Sequence, residues 1–116
     1  MFNIIFSDNS ILDMEGFTLF LKSYYIDFYN NTGIYSEKEI IESYIKNTDL
    51  LFGDLVDNIS KIAKNGLIGR TILKKLEEYE ICRNYFSIRS YLVVFESKII
   101  FNENLVVIEK VKFMRG

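Results

Sequence analysis

Apolar positions recur along this chain at changing intervals, and each interval predicts a different element. The opening FNIIFS is a short, nearly continuous apolar run closed by SDNS. It predicts a buried strand followed by a turn that doubles as a helix start, with Ser10 or Asp8 as the cap. From Ile11 onward, Phe17, Phe20, Leu21, Tyr24, Tyr25 and Phe28 return every third or fourth position, the period of a helix that buries a wide aromatic stripe. NNTG ends it. YSEKEI announces the next helix: Ser36 with Glu39 forms a capping box, and Tyr35 with Ile40 forms the accompanying hydrophobic staple.

The second helix carries one face through Ile41, Tyr44, Ile45, Thr48, Phe52, Leu55, Ile59 and Ile62 to Lys64, with Gly66 placed as its stop. KNTD at 46–49 and Gly53 weaken its middle, which predicts a kink or a break into two helices. LKKLEEYE at 73–80 reads as a short helical turn. The period then changes. ICRNYFSI, YLVVFES and NLVVIEKVKF are rich in β-branched and aromatic residues, with SIRS and FNENL between them, and read as a meander of strands. The YLVVFES strand extends through KIIF into a long hairpin closed near Asn102 and Asn104.

Two helices that each bury one face need a sheet as partner. The expected architecture is a two-layer α+β fold in a single domain over residues 1–116, the N-terminal strand joining the three-stranded C-terminal meander. Composition agrees with one core: 116 residues, 49% hydrophobic, suffice for one compact domain. Charge changes the functional picture more. With 14 basic against 16 acidic residues and a pI near 5.2, the chain does not hold phosphate backbones by bulk electrostatics, which leaves only a local basic patch for that purpose. The lone Cys82 cannot form an internal disulfide, and the absence of histidine removes Ser/His, Cys/His and Cys/His-zinc sets. No cofactor is expected. No apolar run approaches the roughly 18–20 residues that cross a bilayer, and MFNIIFSDNS has no basic start or small-residue cleavage site, so the expectation is a cytoplasmic protein with no membrane partner.

Charge placed on strands is the remaining chemistry. Alternation puts Lys110 and Lys112 on one face of the last strand and Glu109, Val111 and Phe113 on the other. If helices cover Val111, the lysines point to the open face, where Arg83, Arg89 and Arg115 are placed to join them. A tyrosine beside such cations, among Tyr79, Tyr85 and Tyr91, can have its pKa lowered and act as general acid or base while arginines stabilise a pentacoordinate phosphate. Two plainer readings stand beside this one: exposed strands carry Lys and Arg for solubility, and the tyrosines pack across strands.

A glycine turn with Gly69 and Arg70, the segment LKKLEEYE, a strand arginine at Arg83, then YLVVFES and VVIEKVKFMRG together resemble the RelE/ParE superfamily of type II toxin–antitoxin toxins. The resemblance covers residues 55–116, and the N-terminal half in element order. It implies two N-terminal helices packed on a twisted antiparallel sheet, and a cognate antitoxin that wraps the toxin with a helix or extended tail. By that resemblance Arg83 matches the family's strand arginine, Lys110 a basic position on the last strand and Arg115 the C-terminal arginine. With Tyr91 from the reading above they are the expected catalytic set if the chain is a ribosome-dependent mRNA endonuclease, and Arg70, Arg89, Lys112 and Phe113 are the expected partner contacts. Phe113 stands where many members have histidine and Met114 where they have glycine, so the terminal acid/base group is absent. The ParE-like branch, which inhibits DNA gyrase by contact and needs no catalytic residue, therefore comes first. The RelE-like nuclease acting on ribosome-bound mRNA comes second, and a non-toxic binding module of the same fold third. Pairing with a second copy is left open. A metal-independent nuclease of the RelE kind should gather Arg83, Lys110 and Arg115 in one concave surface with Tyr85 or Tyr91.

Overall fold

A computed structural model of the chain describes residues 2–30, 33, 34, 36–65 and 71–115, with some helix side chains outside that set. Strand β1 (Asn3–Phe6) leads into helices α1 (Asp8–Asn30) and α2 (Glu37–Asn65). Strands β2 (Thr71–Lys75), β3 (Tyr79–Ile88), β4 (Tyr91–Ile100) and β5 (Leu105–Arg115) follow. They form one five-stranded sheet in the order β1-β5-β4-β3-β2. The N-terminal strand does join the meander, but parallel to β5, with Asn3 opposite Leu105 and Phe6 opposite Ile108, while every other pair is antiparallel. The sheet is thus mixed, not wholly antiparallel. Three hairpin reversals carry the chain from β2 to β5, so the direction in which β5 meets β1 is set by where the helical pair delivers β2, which no strand pattern records.

The helix starts follow from their caps. Ser7, rather than Ser10 or Asp8, opens α1: its Oγ accepts from Ser10 N–H at 3.1 Å, and its carbonyl accepts from Ser10 Oγ at 2.8 Å and Ile11 N–H at 3.1 Å. At α2, Ser36 Oγ accepts from Glu39 N–H at 3.2 Å as the capping box predicts. Tyr35 of the staple and Gly66 of the stop lie outside the described residues. Helix α2 is unbroken across 46–53. Leu51, Leu55 and Ile59 are all buried, and this i, i+4 stripe runs past Gly53 with packing that outweighs the roughly 1 kcal/mol a helical glycine costs.

The segment read as a helical turn is instead the end of β2, the turn after it and the start of β3. Thr71 pairs with Arg83 and Lys75 with Glu80, and Leu76 N–H donates to the Tyr79 carbonyl at 2.9 Å. A segment this short cannot nucleate a helix alone, so pairing with the neighbouring strand decides its state. The β3–β4 turn places Arg89 and Ser90 at φ 47° and 68°, the backbone of a two-residue type I′ hairpin.

Both helices lie on one side of the sheet. Met14 and Phe17 of α1, Leu51, Leu55 and Ile59 of α2, and Val93, Phe95, Ile99, Val106, Ile108 and Val111 of the sheet form one core. Phe20, expected in the aromatic stripe, is instead 60% exposed, whereas Phe17 stacks on Phe113 with ring centroids 3.9 Å apart. The side chains of Tyr24, Tyr25 and Phe28 lie outside the described set.

Candidate functional site

The sheet has a second face, and among the described residues no helix covers it. Along β4 the residues alternate between buried Val93, Phe95, Ser97 and Ile99 and half-buried Leu92, Val94, Glu96, Lys98 and Ile100. The second set belongs to the uncovered face, where no described residue is fully buried. An antiparallel sheet with one wet face normally turns polar residues outward. Here Leu92, Val94, Ile100 and Val107 turn outward as well, among the charged residues and beside Ile5 and Tyr85, which are 49% and 55% exposed.

A bulge in β5 decides which charges reach this face. Lys110 stands opposite Glu96 and Ile108 opposite Ser97, which leaves Glu109 without a partner on β4. Ser7 Oγ donates to the Glu109 carbonyl at 3.2 Å and holds the irregular residue from the side of β1. The extra residue shifts parity, so Val106, Ile108, Val111 and Phe113 all face the helices while Lys110, Lys112 and Met114 face away. Lys110 and Lys112 therefore occupy the open face expected for them.

There they meet Arg83. A cavity of about 290 Å³ is lined by Arg83, Val94, Glu96, Lys110, Lys112 and Met114. Arg83, Glu96 and Lys110 form one cross-strand row, and Tyr85, Val94 and Lys112 form the next. Arg83 Nη2 donates to Glu96 Oε1 at 3.0 Å. Among the described residues, neither lysine of this cavity is ion-paired. Three cations thus surround one carboxylate over an apolar floor of Val94 and Met114, a locally positive hollow on a chain whose net charge is −2. The arrangement suits a partner that is apolar at its centre and acidic at its rim.

The remaining candidates lie elsewhere. Tyr91 and Arg115 share a register position but face the helices, where Tyr91 meets the Phe17 ring edge-on at 5.0 Å and Arg115 lines a separate cleft with Phe113. Parity explains it: Arg115 lies two and four residues beyond Phe113 and Val111, which face the core. Arg89 sits at the tip of the β3–β4 hairpin, and Arg70 lies outside the described residues. Tyr79 shares the uncovered face, its ring 4.2 Å from Lys98 Nζ. The concave surface therefore brings together Arg83 and Lys110 near Tyr85, without Arg115 or Tyr91. Glu96 was missed as a member of the site. Its signal was present in YLVVFES, where alternation sets it beside Val94 and opposite Phe95.

Among the described residues no helix is long and apolar enough to cross a membrane. No protein-family model, curated protein or solved structure matches the chain.

Proposed function

We propose that this chain acts by protein contact through its uncovered sheet face, as a ParE-like toxin that inhibits DNA gyrase and is held in check by a cognate antitoxin. The observation that carries the contact reading is the face itself: uncovered and accessible, with Leu92, Val94, Ile100 and Val107 on either side of a charged row of Arg83, Glu96 and Lys110. Accessible apolar side chains gathered beside cations on one uncovered sheet face favour a contact surface. The toxin identity rests on the resemblance in residues 55–116. The element order strand, helix, helix, meander supports the reading, while the parallel β1–β5 pair departs from the antiparallel sheet that the resemblance implies.

Catalysis is the second reading, favoured by one observation: Arg83, Lys110 and Lys112 share their face with Tyr85. Against it, Arg115 and Tyr91 lie on the opposite side, and the Arg83 guanidinium is engaged by Glu96 at 3.0 Å. An in-line attack by a ribose hydroxyl needs charge stabilisation and a proton acceptor in one place. Regulated expression in a bacterial host, with growth, plasmid supercoiling and translation scored together, separates the readings. Growth arrest with altered supercoiling and intact translation is expected. Arrest with mRNA cleavage on ribosomes supports the nuclease, and unimpaired growth supports a non-toxic binding module.

A further inference from the structure

Strand β1 covers β5 only from Leu105 to Ile108; beyond it, β5 runs on to Arg115 with no strand among the described residues on its outer side. The first outward amide of this stretch, Val111 N–H, donates to Asp13 Oδ2 at 3.0 Å. Alternate residues of an antiparallel strand turn their N–H and C=O groups to the same side, so Phe113 and Arg115 point outward with Val111. Among the described residues, no outward hydrogen bond is made by either. A sheet edge in this state is a template for another strand.

Helix α1 runs beside this edge without closing it. Two cavities lie between them and share Asp13: one of about 430 Å³ between Leu12 and the Lys110–Lys112 stretch, and one of about 370 Å³ bounded by Phe20, Phe113 and Arg115. The slot has two unlike walls. Toward the helices it is aromatic, and toward the open face it carries Lys110 and Lys112 without carboxylate partners.

We propose that this slot receives an extended segment of a partner protein, added to the edge of β5 as a strand, in which apolar side chains alternate with carboxylates. The backbone of Phe113 and Arg115 supplies the pairing, the aromatic wall takes the apolar side chains, and the lysines take the acids. Asp13, by occupying Val111 N–H, sets where the added strand begins. A second copy of this chain fits poorly: its own edges, NIIF, TILKK and the outer stretch of β5, VKFMR, hold no acid, and TILKK or VKFMR would set cation against lysine. The proposal concerns an edge of the sheet and stands whether or not the chain is a toxin.

The test uses the full ¹⁵N-labelled chain and short synthetic peptides: one alternating valine and aspartate, one alternating valine and lysine, and the first again with its pairing amides N-methylated. Amide hydrogen exchange at Phe113 and Arg115 is expected to slow by about tenfold or more with the aspartate peptide at millimolar concentration, and with neither of the others. The double variant Lys110→Glu, Lys112→Glu, at two exposed positions, should reverse the preference toward the lysine peptide. No slowing with the aspartate peptide, or equal slowing with the N-methylated or lysine peptide, overturns the proposal. So does protection that rises with protein concentration alone, accompanied by dimers in sedimentation, since the occupant would then be a second copy.

Discussion

Phe95 and Val94 are neighbours on β4 whose side chains leave the sheet in opposite directions, so one pair of substitutions measures how unlike the two faces are. Phe95 is wholly buried beneath the helices and packs near Phe86, with ring centroids 6.3 Å apart, whereas Val94 is half-buried on the open face. Phe95→Ala removes a core ring and leaves a cavity, at a cost of about 3–5 kcal/mol. Val94→Ala removes two methyl groups already in contact with water and leaves no cavity, costing about 0.5–1 kcal/mol. For 116 residues the unfolding entropy is about 240 cal/mol/K near the midpoint. The expected drop in Tm is therefore about 12–20 °C for Phe95→Ala and about 2–4 °C for Val94→Ala. Because a domain of this size holds only about 5–15 kcal/mol, Phe95→Leu serves as a milder version that stays folded, at about 1 kcal/mol. Thermal and urea unfolding followed by circular dichroism give both numbers. Comparable losses at the two positions would refute the one-sided layering, since the second face would then be packed like the first.

Three further outcomes follow from local geometry. Ser90→Gly should raise stability by about 0.5–1 kcal/mol in urea titration, because Ser90 holds φ 68° without glycine's freedom; a loss would mean that its hydroxyl acts in the turn. Gly53→Ala should stabilise by about 0.5–1 kcal/mol, since an added Cβ meets nothing within 4 Å in an unbroken helix, and destabilisation would show that α2 depends on a bend there. Asp13→Ala should cost about 1–2 kcal/mol by leaving Val111 N–H unpaired, while Asp13→Asn keeps an acceptor and most of the stability; equal losses would contradict the carboxylate's role as the cap of the β5 edge.

The elements that were legible from the amino acids are those whose signal is local. Ser36 and the apolar run behind it fix the start of α2, and the β-branched content of β3, β4 and β5 fixes the meander. What was hidden depends on partners distant in the chain. The leucines, lysines and glutamates of LKKLEEYE suit a helix as well as an edge strand, and only pairing with β3 chooses. Gly53 reads as a break until Leu51, Leu55 and Ile59 are seen on one buried stripe. In the site, alternation alone places Lys110 and Lys112, and the same alternation, carried three residues past Lys112, sends Arg115 to the helix side. The Glu109 bulge that keeps Val106 and Ile108 in the core together with Val111 has no mark in NLVVIEKVKF.

The central claim is that the uncovered sheet face works by contact, and induced expression of position-matched variants tests it most directly, with growth, supercoiling and ribosome-dependent mRNA cleavage read in the same cells. Val94→Asp, at the floor of the cationic hollow, should abolish both growth arrest and the change in supercoiling. Arg83→Ala should weaken them only modestly, and Leu19→Asp, on the exposed side of α1, should leave them intact. Ribosome-dependent mRNA cleavage that vanishes with Arg83→Ala while supercoiling stays normal would contradict the account.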